Sequence, residues 1–331
     1  MEDILALRIY KTFVGILGIL GNSLVCLVIF KVRSMKTRTN AFIFHQAVID
    51  LLGSLMILLK SEVPLPSPLP DDALGWFLCH VWFSNLVLFY FFVISTFNLL
   101  VLTMERYFAI VYPFKYLAVF MKYPRLKVGV IMAICWVIAA AMKSYLMFIF
   151  ILQDGECLSV PGSRAVGIIT AFFEYVVPVA VMLFAYIRIS VEMKRGAARV
   201  GPAPAQHLPG GANAPDMAES LLRARRSTFK MLLIVFITFL ICWTPNELIF
   251  FMFNVGWLDL EFNEWYYLLS VAMVATNCCA NPVIYAFKYR QFRSGLKELF
   301  CLCRKSRHNL DSSYIAAGGY PTQLQEDIQT T

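Results

Sequence analysis

Seven long apolar stretches, separated by polar connections, constrain the fold of this chain more than any other feature. They cover about residues 10–30, 41–60, 80–104, 127–152, 165–191, 229–254 and 265–287. A helix needs ~20 predominantly apolar residues to cross the hydrocarbon core of a bilayer. Because lipid offers the backbone no hydrogen bonds, such a stretch crosses as a helix. The sequence therefore predicts an all-α membrane protein, a bundle of seven transmembrane helices numbered one to seven below.

The composition excludes other classes of protein. Hydrophobic residues make up 59% and charged residues 15% of the 331 residues, against roughly 45–50% and about 25% in soluble domains. The nine cysteines and four histidines include no pair of Cys-x-x-Cys motifs, so a zinc site is not expected. Acidic residues precede the first stretch and Lys31 and Arg33 follow it, which indicates a retained helix instead of a signal peptide.

The distribution of charge predicts the orientation in the membrane. The loops after helices one, three and five, together with the tail, hold 24 of the 29 basic residues. The positive-inside rule then places the N-terminus outside the cell and the C-terminus in the cytoplasm of a multi-pass plasma-membrane protein. The outer segments carry three bases and ten acids, a net charge of about −7 that favours cationic ligands; the alternative is that these acids serve only topology and solubility. The overall charge of +8 reflects the cytoplasmic face, so nucleic-acid binding is not expected.

These features divide the chain into four parts. Residues 1–9 are expected to form a short extracellular N-terminus, unless the chain lacks an upstream segment, and residues 10–287 form the transmembrane domain. Its third inner loop, 194–228, is rich in Gly, Ala and Pro and is expected to be flexible. Residues 288–300 have an apolar and a basic face, which predicts a short amphipathic eighth helix, and residues 301–331 form a cytoplasmic tail.

Ten polar residues interrupt the apolar helices, where each costs free energy unless it faces the bundle and finds a partner. They are Asn22, Asp50, Ser95, Asn98, Lys143, Glu174, Asn246, Glu247, Asn277 and Asn281. An Asp or Lys at a helix centre costs ~2.5–3.5 kcal/mol on insertion scales. We therefore expect these side chains to have functional roles.

The positions of three prolines and one arginine indicate where the bundle can change conformation. Pro178, Pro245 and Pro282 each remove a backbone hydrogen bond and predict kinks in helices five, six and seven. Arg106 ends helix three beside Glu105, and an adjacent acid can hold a guanidinium until another partner arrives. The alternative is that Arg106 merely extends to the membrane interface.

Each helix also carries a short motif, and the seven motifs occur in a fixed order. They are Gly21-Asn22, Ala47-Val48-Ile49-Asp50, Glu105-Arg106-Tyr107, Trp136, Pro178 with Tyr186, Cys242-Trp243-Thr244-Pro245, and Asn281-Pro282-Val283-Ile284-Tyr285. This set resembles the rhodopsin-like G-protein-coupled receptors over residues 20–300. The resemblance implies a receptor that binds an extracellular ligand and activates a heterotrimeric G protein, with no enzymatic activity.

The resemblance also implies a switch that reaches the G protein. Its residues are Glu105, Arg106, Tyr107, Tyr186, Trp243, Pro245, Asn281, Pro282 and Tyr285. On activation Arg106 would swing out while Tyr186 and Tyr285 rearrange around it. In many members an acid low on helix six locks the arginine at rest, but here Arg225 stands at that position. Restraint of the resting state is therefore left to Glu105, and basal activity is expected.

Further implications concern ions and the outer face. Asp50, Ser95, Asn277 and Asn281 match the family's allosteric sodium pocket, the one cofactor implied, although Phe91 and Cys278 depart from its pattern; the alternative is a buried cluster of hydrogen bonds with water. The family's disulfide would join Cys79 to Cys157. Cys79 lies 27 residues before Arg106, two more than the family's usual spacing. Because two residues turn a helix by ~200°, Cys79 must precede the regular helix or a bulge must intervene between Cys79 and Arg106.

The ligand pocket differs from those of two familiar subfamilies. Leu88 replaces the aspartate of monoamine receptors, and Ala275 replaces the lysine of opsins. The expected pocket residues are Leu88, Lys143, Glu174, Trp243, Asn246 and Glu247. Their charges either pair with one another or bind a ligand, and they favour a peptide or other cationic ligand, as in the somatostatin, galanin and allatostatin group. A receptor for a lipid or another small molecule is the alternative.

The cytoplasmic side offers further partners. Cys301 and Cys303 follow the predicted eighth helix and are candidates for palmitoylation, beside membrane lipids. The tail also has candidate phosphorylation sites for arrestin binding, although they are too sparse to assign it: Ser306, Ser312, Ser313, Thr322, Thr330 and Thr331.

Three rival classes have weaker support. A transporter would show repeated halves, a channel a filter loop or charged ring, and an intramembrane enzyme a nucleophile with its base or a metal set. The sequence shows none of these patterns.

Overall fold

The computed structural model describes residues 2–160, 163–199, 214–258 and 264–301, and it confirms the predicted seven-helix bundle. Seven helices are long and apolar enough to span a membrane. Helices one to four are Glu2–Lys31, Arg38–Glu62, Leu86–Val111 and Pro124–Lys143. Helix five consists of Arg164–Ala171, a π-helical segment Phe172–Val176, and Val177–Arg199, while helix six is Ala214–Asn254 and helix seven is Trp265–Lys288. Short helices at Arg33–Met35, Ala73–Phe77 and Pro113–Phe120 lie between the spans.

The bundle has an apolar core and an apolar outer surface. Phe42, Met182 and Phe239 are buried between the helices, whereas Leu20 and Phe184 are exposed on the outside. Such outward-facing apolar side chains are expected where the surrounding solvent is lipid instead of water. The two ends are named here by their landmarks: the disulfide end carries Cys79–Cys157, and the Arg106 end is the opposite one.

Helix four is shorter than its apolar stretch predicts. The α-helix ends at Lys143, a 3₁₀ segment follows over Ser144–Phe148, and Phe150–Gln153 forms strand β1. Strand β1 pairs antiparallel with β2, Glu156–Ser159. Residues 154 and 155 both have positive φ (52° and 77°), as a two-residue hairpin turn requires. The apolar residues after 149 therefore belong to a hairpin, because pairing with β2 satisfies their backbone groups.

The start of helix three confirms the predicted break before Arg106. Leu78–Phe83 forms a π-helical segment, and Asn85 has a left-handed φ of 57° before the regular helix begins at Leu86. This irregular turn absorbs the two extra residues and directs Cys79 toward the hairpin. Cys79 and Cys157 form the predicted disulfide, with their Cα atoms 5.3 Å apart.

Helix one packs closely against Pro282 of helix seven. A Cβ atom added at Gly21 would lie 2.9 Å from the Pro282 ring, so only glycine permits this approach. Pro282 has no N–H to donate to the carbonyl of Cys278, one turn earlier. Asn22 Nδ2 donates to that carbonyl at 2.8 Å and thereby replaces the missing backbone donor.

The predicted eighth helix forms over residues 290–301. Phe292 and Leu299 are buried on its inner face, while Arg293 and Lys297 are exposed on the other. This separation confirms its amphipathic character. Cys301 is exposed at its end, and Cys303 lies outside the described residues.

Candidate functional site

At the Arg106 end, the guanidinium of Arg106 is held by the carboxylate of Glu105. Nε donates to one carboxylate oxygen and Nη2 to the other, both at 2.5 Å. The Glu105 side chain is only 3% exposed and that of Arg106 is 20% exposed. A two-point contact between a planar guanidinium and a carboxylate fixes orientation as well as charge, so the predicted neighbour does restrain Arg106.

Tyr116 is a second partner of Glu105 that the sequence interpretation missed. It lies on the short helix Pro113–Phe120, and its hydroxyl donates to Glu105 Oε1 at 2.6 Å. Burial, and then the negative charge of Glu105, raise the pKa of Tyr116 above its ordinary value, which keeps the hydroxyl protonated as a donor. The signal available in the sequence was a tyrosine close after the Glu105-Arg106 pair.

Arg106 lines an open cavity of about 430 Å³ at this end. The lining is polar and carries two further bases, Lys36 and Arg38. Its other residues are Thr37, Thr39, Tyr116, Thr228, Tyr289 and Gln291. The cavity therefore presents positive charge to whatever enters it. The Arg225 side chain, the predicted replacement for a resting-state lock, lies outside the described residues.

Tyr107, Tyr186 and Tyr285 are buried in the core, and among the described residues no hydrogen bond joins their side chains to Arg106. Tyr186 donates to the carbonyl of Leu232 on helix six at 2.9 Å and stacks on Phe236. Tyr285 is fully buried and its hydroxyl has no partner among the described residues. Tyr107 is buried and packs edge-on against neighbouring aromatic rings.

Trp243 and Pro245 lie nearer the middle of helix six. The Trp243 ring packs edge-on against Phe92 of helix three, with centroids 5.7 Å apart. Its indole N–H has no partner among the described residues. Pro245 lies inside the helix, next to Thr244, whose hydroxyl lies 2.5 Å from that of Tyr175. These contacts couple helix six to helices three and five.

In the middle of the bundle, a cluster of hydrogen bonds surrounds Asp50. Gln46 Nε2 donates to both carboxylate oxygens at 3.0 and 3.1 Å. Ser95 donates to one oxygen at 3.0 Å and Asn281 Nδ2 to the other at 2.8 Å. Ser95 and Asn281 were predicted here; Gln46 was missed, although it lies one turn before Asp50 on the same helix. Asn277 is buried but donates none of these hydrogen bonds.

The residues around Asp50 do not fit the sodium ion that the resemblance implies. A small hard cation needs oxygen ligands directed at it. Of the three side chains that hydrogen-bond to the Asp50 carboxylate, Gln46 and Asn281 present amide N–H groups instead. The carbonyl oxygen of Gln46 faces away and accepts from Asn98 Nδ2 at 2.8 Å.

At the disulfide end, Lys143 and Glu174 form a buried ion pair. The Nζ–Oε2 distance is 2.6 Å, and the side chains are 9% and 10% exposed. Glu174 lies in the π-helical segment of helix five, a distortion often found at functional sites. The Lys143 ammonium also lies 5.5 Å from the centre of the Phe89 ring. The other carboxylate oxygen of Glu174 is buried without a hydrogen-bond partner among the described residues.

The other predicted pocket residues have different surroundings. Asn246 donates to Ser270 of helix seven at 3.0 Å. Leu88 packs against the apolar core. Glu247 is half-buried, and within the described ranges it makes no hydrogen bond and no ion pair within 4.0 Å. The cluster therefore holds one cation and two carboxylates, a net negative charge in a site of low dielectric.

Comparisons with known proteins agree with this architecture. The model of the family described as 7 transmembrane receptor (rhodopsin family) matches residues 21–285. Galanin receptor 2b of Danio rerio is 31% identical over 314 residues, which are 90% of this chain and 76% of that protein. The RYamide receptor of Drosophila melanogaster is 28% identical over 86% of this chain and 61% of its own length.

Galanin receptor 2a of Danio rerio is 26% identical over 93% of this chain and 81% of that protein. The family match runs from the last third of helix one to Tyr285 of helix seven, and it includes the disulfide and the Arg106 motif. The resemblance inferred from the motifs is thereby confirmed: the chain belongs to the rhodopsin family of seven-transmembrane receptors.

Proposed function

We propose that this receptor binds a peptide with a cationic group at the disulfide end and activates a heterotrimeric G protein at the Arg106 end. The observation that carries the proposal is a second acid near the Lys143–Glu174 pair: Glu247 makes no hydrogen bond and no ion pair within 4.0 Å among the described residues. Two carboxylates around one ammonium leave room for a second positive charge, which an amino terminus, a lysine or an arginine of the ligand would supply. The names of the relatives, receptors for galanin and RYamide, support a peptide ligand.

The proposed orientation puts the disulfide end outside the plasma membrane. It is supported by the basic loops, which lie at the Arg106 end, and by the disulfide, a bond that forms in oxidising compartments. An epitope fused to the N-terminus should be accessible to antibody on intact cells, and one fused to the C-terminus only after permeabilisation. The opposite pattern would contradict the orientation.

At the Arg106 end, the cavity supports docking of a G-protein segment. Breaking the Arg106–Glu105 pair would free the guanidinium for hydrogen bonds to carbonyl or carboxylate groups of the partner. The basic residues around the cavity favour a partner segment with an acidic C-terminus.

The direct test is nucleotide exchange on heterotrimeric G proteins by the purified receptor. Arg106→Ala should abolish exchange while surface expression is retained. Arg195→Ala is the matched control, because Arg195 lies at the same end but is 64% exposed, and its ion pair among the described residues is with Glu192 of its own helix. Normal exchange by the Arg106 variant would contradict the proposed switch.

The ligand class is tested separately by thermal-shift screening of the purified receptor with a library of basic peptides. Hits should stabilise the wild-type receptor and lose that effect in Glu247→Gln. Stabilisation only by neutral or lipid compounds would contradict the cationic-peptide proposal while leaving G-protein activation intact.

A further inference from the structure

The Gln46 side chain lies where a counter-ion of Asp50 would be expected. Its amide nitrogen is within hydrogen-bond distance of both carboxylate oxygens and 2.5 Å from the Ser95 hydroxyl. We propose that this amide takes the place of the sodium ion, so that the core of this receptor is assembled and stabilised without a cation. The proposal rests on the direction of a chain of hydrogen bonds that begins on helix four.

The direction is set by Trp136, because an indole N–H can only donate. Trp136 Nε1 donates to His45 Nε2 at 2.8 Å, so this ring nitrogen carries no proton and the neutral imidazole carries it on Nδ1. His45 Nδ1 lies 2.8 Å from Asn98 Oδ1 and therefore donates to it. The tautomer of His45 thus fixes which end of the Asn98 amide faces helix two.

Asn98 transmits this direction to Gln46. With its oxygen engaged by His45, its Nδ2 donates to the carbonyl of Phe42 at 3.1 Å and to Gln46 Oε1 at 2.8 Å. The Gln46 oxygen is thereby occupied on the side away from Asp50. Only the N–H groups of Gln46 remain to face the carboxylate.

The Gln46 side chain therefore directs N–H donors at the Asp50 carboxylate, whereas a cation site needs oxygen atoms directed at the ion. To ligate sodium, Gln46 would have to turn its oxygen toward Asp50, and two N–H groups would then face each other between Gln46 and Asn98. Turning Asn98 as well would remove the acceptor of the His45 proton. Gln46, Asn98 and Asp50 are each at most 2% exposed, so water cannot readily replace the lost partners.

Thermal unfolding of the purified full-length receptor in sodium chloride and in choline chloride of equal ionic strength tests the proposal. The wild type should unfold at the same temperature in both salts. Gln46→Leu, which removes the amide, should gain a sodium-specific rise of roughly 3 °C or more at sodium concentrations about ten times the dissociation constant. The gain should disappear in the double variant with Asp50→Asn.

Thr96→Val is the matched control. Thr96 is buried on helix three next to Ser95, and within the described part of the chain its hydroxyl donates to the Phe92 carbonyl of its own helix and to no other group. This variant should show no sodium-specific shift. Trp136→Phe is a second test variant, because it removes the N–H that fixes the tautomer of His45. Its sodium-specific rise in unfolding temperature should be smaller than that of Gln46→Leu.

A sodium-specific rise in the wild type that is lost in Asp50→Asn would overturn the proposal, whether or not the Gln46 variant folds. So would a stable Gln46→Leu variant with no response to sodium. The measurement requires neither a ligand nor a G protein, so its outcome is independent of the proposed function.

Discussion

Two polar regions inside this bundle differ in how their carboxylates are hydrogen-bonded. One is the Asp50 cluster, and the other is the charged cluster of Lys143, Glu174 and Glu247 at the disulfide end. Asp50 accepts hydrogen bonds from Gln46, Ser95 and Asn281 and is 1% exposed. At the disulfide end, one oxygen of Glu174 is buried without a hydrogen-bond partner within the described ranges, and the half-buried Glu247 makes no side-chain hydrogen bond there.

The difference indicates which region is structural and which is available to a ligand. A carboxylate whose lone pairs are occupied by N–H and O–H donors offers a cation no free coordination site, whereas a buried carboxylate with an unoccupied oxygen is stabilised by a cation. The Asp50 cluster therefore joins helices two, three and seven, while the charged cluster joins helices four and five incompletely. Ligand binding would complete it.

The largest effect is expected from breaking the single ion pair of the charged cluster. Lys143→Met leaves Glu174 buried and unpaired, which should cost about 3–5 kcal/mol of stability and lower surface expression. Adding Glu174→Gln should restore much of the loss, a non-additivity that independent sites would not show. Arg8→Met, which removes the exposed pair with Glu62, is the control and should have no measurable effect. An additive double variant in thermal unfolding would contradict the pairing.

The next effect concerns the covalent link above the charged cluster. Cys157→Ser removes the bond that ties the hairpin to the start of helix three, the helix that places Phe89 against Lys143. We expect a loss of about 2–5 kcal/mol, seen as a lower unfolding temperature that reductant reproduces in the wild type. Cys135→Ser, at a buried free cysteine, should leave the response to reductant unchanged. An identical response to reductant in wild type and Cys157→Ser would show that the disulfide does not stabilise the receptor.

In the Asp50 cluster, removal of one member should have a moderate effect. Asn98→Leu leaves Gln46 Oε1 and the His45 proton without partners, at a cost of about 1–3 kcal/mol. Thermal unfolding should show this loss, whereas Thr96→Val should unfold near the wild type. A neutral Asn98→Leu variant would mean that the cluster is not held together by directed hydrogen bonds.

The smallest effect on stability is expected at Glu247. Because Glu247 makes no hydrogen bond and no ion pair within 4.0 Å in the described ranges, Glu247→Gln should change the free energy of unfolding by less than about 0.5 kcal/mol. The potency of a cationic agonist in the nucleotide-exchange assay should nevertheless fall steeply, since the variant keeps size and removes charge. Unchanged potency would contradict the role of Glu247 as ligand anchor. The charged cluster would then be structural, as the Asp50 cluster is.

Several parts of the site could be predicted from the sequence because they depend on local pattern. The adjacent acid Glu105 predicted the partner of Arg106, and the spacing before Arg106 predicted an irregular segment after Cys79. Tyr116 and Gln46 were missed for the same reason. Each donates a hydrogen bond to a buried carboxylate, and tyrosine and glutamine residues are common in helices that have no such partner. Their importance appears only when the partner, a buried carboxylate, is known.

The end of helix four shows the limit of apolar pattern. Residues 150–152 continue the apolar stretch, so length and composition extend the helix through them. Pairing with Glu156–Ser159 and the bond to Cys79 place them in a hairpin instead. Strand pairing and the disulfide depend on residues outside the apolar stretch, so the hydropathy of the stretch itself does not predict them.

The sequence by itself determined the seven spans, their expected orientation and the receptor family, because these follow from apolar length, charge distribution and ordered motifs along the chain. The tertiary structure alone decided which polar side chains are satisfied. Asn22 donates to the carbonyl freed by Pro282, and Gln46 donates to both carboxylate oxygens of Asp50. Glu247 makes no hydrogen bond among the residues that the structure describes. Hydrogen-bond saturation depends on the direction of donors and acceptors from several helices, and that direction exists only after the helices have packed.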